Sequence, residues 1–194
     1  MKKLLLSAAI AVLGLSQVNA QDNTTGGFNN GDVYVSGSLG FNSYKYGNSK
    51  INSLDFSPSV GYFVSDNIAL EFNLLVGSTK DEDDDKTSSF GAGLGANYFF
   101  TPANQFSFTL GAGVGYVTNT NKPNGGQESK FNTFDIAIAP GLNYFVSEKF
   151  ALRASIAALS YTSGKADFPG AEAENEFGLN ADLSNVNFGV TYKF

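Results

Sequence analysis

Two opposite charges, Glu71 and Arg153, hold the same place in two copies of one sequence pattern. VGYFVSDNIALEF runs from Val60 to Phe72, and LNYFVSEKFALRA from Leu142 to Ala154. Both copies begin just after a proline, Pro58 and Pro140. Asp55, Asp135 and Lys193 lie on the same polar side of their own alternating stretches. Together the five form a candidate ion network. Charges enclosed by protein are tolerated when paired or wetted, so pairing is expected. The network has two possible uses: a plug that stiffens the structure, or the lining of a narrow, gated polar path.

Other chemistry has little to work with. The chain has no His and no Cys, which removes the commonest general base and the thiol nucleophile. Carboxylates remain, but on loops they are ordinarily just solvated, so no enzyme and no cofactor are expected. The run Asp81–Asp85 offers oxygen ligands, with Asp81, Asp83 and Asp85 a weak site for Ca²⁺. It lacks the spacing of an EF-hand loop and reads better as a solvated acidic tip. The strings GAGLGA and GAGVGY are not phosphate loops, because no helix follows and their glycines alternate with larger residues. Gly91, Gly93, Gly95, Gly111, Gly113 and Gly115 either make room for bulkier neighbours such as Tyr34, Phe63 or Arg153, or line a small cavity.

The elements that position these groups are strands. In each repeat copy, apolar residues alternate with polar or small ones on both sides of a four-residue turn, the signature of a hairpin. A looser copy, NYFFTPANQFSF, occupies Asn97 to Phe108. Eight such strands are expected, near 32–42, 51–63, 68–77, 89–100, 106–117, 134–145, 150–157 and 186–194. Their connections alternate between long polar loops and short turns. That puts three turns and both termini at one end, and four loops at the other. The longest loop is expected over Thr162 to Ser184.

Direction of the apolar face separates two classes of barrel. A water-soluble barrel packs apolar side chains inward, whereas a membrane barrel shows them to lipid. Eight strands enclose a space just wide enough for side chains. Six large apolar residues per strand would overfill it, while glycines fit. Aromatics also gather beside the turns, at Tyr62, Tyr98, Phe100, Phe106, Tyr144 and Phe150, as in an interfacial girdle. The expected fold is therefore an all-β, eight-stranded antiparallel up-and-down transmembrane barrel over residues 32–194. Lipid becomes a partner, and the acidic loop gains a third use: bridging lipid phosphates through divalent cations.

The first twenty residues, MKKLLLSAAIAVLGLSQVNA, read as an export signal cleaved after Ala20, with a basic start, a short apolar run and small residues at the end. Its apolar stretch is too short for a membrane helix, which takes about 20 residues. Residues 21–31 read as a flexible, Gly-rich lead-in. Losing Lys2 and Lys3 takes the net charge from −6 to −8, an acidity that argues against nucleic acid as a partner.

The signal, the eight alternating segments and the final TYKF resemble the small bacterial outer-membrane barrels, in particular the OmpX-like and OmpA-transmembrane-like group. Phe188, Tyr192 and Phe194 are similar to that family's C-terminal recognition signal for the barrel-assembly machinery. The family's lipid-modifying acyltransferases rely on a His that this chain lacks. Nothing follows the barrel here, so the resemblance implies no peptidoglycan-binding domain. It implies a structural or surface-interaction role in the outer membrane, with loops that could meet an external partner. A narrow porin-like channel for small solutes or ions is the alternative.

Overall fold

The computed structural model describes residues 26–46, 49–81, 85–155, 159–179 and 187–194. Every regular element in it is a strand. In chain order these are β1 (Val33–Tyr46), β2 (Ser49–Phe63), β3 (Ile68–Lys80), β4 (Lys86–Phe99), β5 (Phe106–Lys122), β6 (Ser129–Phe145), β7 (Phe150–Ser155), β8 (Leu159–Ala166), β9 (Ala173–Leu179) and β10 (Asn187–Lys193). β7 and β8 both pair with β6, so they are two lengths of a seventh stave. β9 pairs with β8 and β10 with β7, and these two make the eighth.

Neighbouring staves pair antiparallel all the way round. β10 closes onto β1, and β5 onto β6, which gives a closed barrel of eight staves. Closure removes the free edges that hydrocarbon would not tolerate.

The face assignment read from alternation is what the structure has. Leu54, Phe56, Val60, Leu70, Phe72, Leu94, Phe108, Leu110, Val114 and Leu152 are exposed on the outer wall. The buried residues lie inside and are few and small, apart from one aromatic group described below. Tyr62, Tyr98, Phe100, Phe106 and Tyr144 stand exposed near the short turns, where Tyr98 meets Phe100 edge-on at 5.1 Å.

The repeated VS turn has one geometry in both copies. Val64 N–H donates to Ile68 O at 2.9 Å, and Val146 N–H to Phe150 O at 2.8 Å. Ser65 Oγ accepts from Ile68 N, and Ser147 Oγ from Phe150 N, each at 3.1 Å. A serine at the second turn position thus ties down the amide that starts the next strand.

Two expectations need correction. The loop expected over Thr162 to Ser184 is strand as far as Ala166 and again from Ala173 to Leu179. The other three loop-side connections are shortened in the same way, for instance by β5 reaching Lys122 and β6 starting at Ser129. Beyond the lipid both faces of a strand meet water, so the apolar alternation stops while the hydrogen-bonded ladder continues.

The second correction concerns the lead-in expected over 21–31, of which residues 26–31 are described. Here the chain folds back across the turn end of the barrel. Phe28 N–H donates to Pro102 O at 2.7 Å, and Gly31 N–H to Phe63 O at 2.9 Å. The Phe28 side chain is only 1% exposed. A lone phenylalanine in a polar stretch found an apolar socket, which composition alone does not reveal.

Candidate functional site in the barrel lumen

Three side chains from different staves meet inside the barrel. Arg153 Nη1 donates to Glu71 Oε2 at 2.8 Å, and Tyr34 Oη donates to the same oxygen at 2.7 Å. Asn97 Nδ2 adds a longer bond of 3.4 Å. The Arg153 guanidinium carbon lies 5.7 Å from the Tyr34 ring centroid, within cation–π range. β3 and the β7 stave have three staves between them in either direction round the barrel. The ion pair therefore bridges the full width of the lumen.

Small residues opposite each member make the bridge possible. Tyr34 and Glu71 both stand opposite Gly61, Glu71 also opposite Gly95, and Arg153 opposite Gly189. A Cβ on Gly61 would overlap the Tyr34 ring. One of the two readings of the lumen glycines thus holds at this position, making room for a bulky neighbour.

Toward the turn end an aromatic stopper follows. Phe28 stacks on Phe63 at 4.6 Å and meets Phe145, Tyr34 and Phe99 at 4.9, 5.2 and 5.5 Å. Ala69 and Ala151 complete this buried group. The strap carrying Phe28 is held by Lys193, whose Nζ donates to Gly27 O and lies 3.6 Å from Asp32 Oδ2. A Cβ on Gly27 would overlap the Ala103 backbone, so glycine allows the strap to lie this close.

Toward the loop end the lumen opens into polar space. A cavity of about 240 Å³ is bounded by Ser36, Ser59, Asn73, Thr109, Glu71 and Arg153, among others. A second, of about 380 Å³, is bounded by Gly93, Gly95, Gly111, Gly113, Gly115 and Asp135, among others. At these glycines the cavity reading also holds.

The expected five-membered ion network is smaller than the sequence suggested. Glu71 and Arg153 are joined, and Tyr34 joins them. Asp135 instead accepts a hydrogen bond from Thr162 Oγ1 at 2.8 Å on the neighbouring β8. Asp55 is exposed, opposite Gly40 and Gly77 toward the loop end. Lys193 serves the strap at the other end. All share the inward face, but they lie at different heights along the barrel, which alternation does not encode.

Of the acidic loop residues, Asp81 and Asp85 are described, and Asp83 lies outside the described residues. Asp81 Oδ1 accepts from Asp85 N at 3.0 Å, and Asp85 Oδ1 from Asn124 N at 2.7 Å. These carboxylates cap backbone amides of two adjoining hairpins. Among the described residues no group of three or more acidic, His or Cys side chains is placed to hold a metal.

The C-terminal aromatics lie on β10 and its end. Phe188 is 71% exposed, and Tyr192 meets Phe150 at 4.9 Å and Phe194 at 5.3 Å. Phe194 N–H donates to Val33 O at 3.1 Å across the closing seam.

The model of the outer membrane protein beta-barrel domain matches residues 7–194. The chain belongs to that family. The N-terminal barrel domain of OprF from Pseudomonas aeruginosa is 21% identical, with 86% of this chain and 100% of that chain covered and a TM-score of 0.51. OprG from the same organism is 14% identical over 87% of this chain and 98% of that one, with a TM-score of 0.56. Neisserial surface protein A is 17% identical over 84% and 97%, with a TM-score of 0.51. At such identities the likeness is one of fold. No curated protein sequence matches the chain. The protein is thus an outer-membrane barrel of the bacterial envelope.

Proposed function

We propose that this is a sealed, non-catalytic barrel whose role is structural and interactive: it stabilises the envelope and carries loops for adhesion or binding outside the cell. The observation that supports this reading is the double closure of the lumen. The Glu71–Arg153 bridge crosses it at one level, and the Phe28 group fills it at the next. Eight staves leave little room around such groups. The glycine-lined cavity of about 380 Å³ favours the second reading, a narrow channel for small solutes or ions.

Planar-bilayer recording of the refolded chain separates the two. Silence is expected, with steady conductance steps only when Arg153→Ala and Phe28→Ala are combined. Steady steps from the unmodified protein would establish the channel and refute the sealed barrel. We further propose that export ends with cleavage after Ala20, and that Phe188, Tyr192 and Phe194 are read by the barrel-assembly machinery. Their outward, accessible position on the last stave supports the latter.

A further inference from the structure

On the loop side of the Glu71–Arg153 bridge the lumen carries polar groups that the barrel itself does not use. Ser38, Ser57, Asn73, Thr109, Ser155 and Asn187 all border the cavity of about 240 Å³. Among the described residues, none of these six side chains takes part in a hydrogen bond within the protein. Thr109 is the telling case. It is only 8% exposed, and its partner across the ladder is Gly141, which offers no side chain. A hydroxyl so enclosed ordinarily has a protein partner. Among the described residues, Asn143 Oδ1 is the one unpaired side-chain atom shut off from open space, so Thr109 Oγ1 reaches the cavity.

The facing wall has the opposite character. Glu71, Asn73, Asn97, Ala139 and Ser155 border both cavities, which makes them two lobes of one chamber. In the larger lobe, Gly93 stands opposite Gly115 and Gly95 opposite Gly113 across β4 and β5. Four glycines in two adjacent pairs leave a flat patch of backbone methylenes with no side chain above it. At about 380 Å³ this lobe is within the range of small-molecule sites.

Charge narrows the ligand further. Glu71 and Arg153 neutralise each other, and Asp135 leaves the lining with one negative charge, which disfavours anions. Hydroxyls and amides both donate and accept, so a metal cation would leave the amide donors of Asn73 and Asn187 unused. The complement to such a lining is a neutral molecule with a hydroxyl rim and a flat C–H face. We propose that the chamber binds a neutral monosaccharide in its pyranose form, hydroxyls on the Ser, Thr and Asn wall and ring face on the glycines. The proposal rests on the lining of the lumen and not on whether the lumen conducts.

The test uses the full chain refolded in lauryldimethylamine oxide, a detergent without a sugar headgroup. Saturation-transfer difference NMR is recorded with the methyl pyranosides of glucose, galactose and mannose. At least one should bind with a Kd on the order of 1–10 mM. Sorbitol, an open chain without a ring face, and glucose 6-phosphate, an anion, should each bind at least about threefold more weakly. Thr109→Val combined with Asn73→Ala should weaken binding at least about fivefold. Gly115→Leu should do so by at least about tenfold, because a Cβ there has ordinary room, 3.9 Å from Ala92 O, while the side chain fills the lobe. Asn104→Ala, at an exposed turn, should leave binding unchanged. Folding of each variant is checked by the mobility of unheated protein on SDS gels. No transfer to any of the three pyranosides at about 100 mM would mean a chamber that serves water alone, and overturns the proposal. Equal binding of sorbitol or of the phosphate ester also overturns it, as does unchanged affinity in the folded double variant.

Discussion

Removing either partner of the lumen bridge alone should cost more than removing both together. Arg153→Met leaves the Glu71 carboxylate enclosed without its cation, though Tyr34 and Asn97 still donate to it. Breaking a buried pair this way costs about 3–5 kcal/mol, and those remaining bonds place the cost near 3. Glu71→Gln strands the Arg153 guanidinium at a similar cost of about 3 kcal/mol. In the double variant no unpaired charge remains, and the amide carbonyl introduced by Glu71→Gln can still accept from Tyr34. Its cost should be about 2 kcal/mol or less, against roughly 6 if the two positions were independent.

The chain has no Trp, so urea unfolding in lipid vesicles is followed by far-ultraviolet circular dichroism and by the mobility of unheated protein on SDS gels. Because the pair is largely shielded from solvent, with side chains 19% and 17% exposed, salt should change these values little. Additive losses in the double variant, or a loss below about 0.5 kcal/mol for Arg153→Met, would refute the bridge as described.

The remaining predictions concern the turn end. Phe28→Ala empties a fully enclosed site between four rings and should cost about 3–5 kcal/mol by the same unfolding measurement; a loss within about 0.5 kcal/mol would mean the strap is not seated. Gly61→Ala drives a methyl into the Tyr34 ring and should cost roughly 1–3 kcal/mol. Combined with Tyr34→Ala, Gly61→Ala should add almost nothing; a full additive loss would place its effect elsewhere.

Much of this molecule is written in the period of its sequence. A strand sends successive side chains to opposite faces, so alternation along Ile68–Val76 or Phe106–Tyr116 assigns each residue a side without further information. Glycines opposite bulky apolar residues then say which side is too small to be filled by the latter, and so which side meets lipid. The alternation of turns and loops orders the staves. All of this is local.

What alternation lacks is height and angle round the barrel. Glu71 and Arg153 are 82 residues apart, and they meet because closure sets their staves on opposite walls at one level. Asp55, Asp135 and Lys193 share the inward side but sit at other levels, since the stagger between strands is fixed only when the sheet closes. Phe28 is the extreme case. Its socket is built from β1, β2, β4 and β6 together, so no window of sequence around it carries the signal.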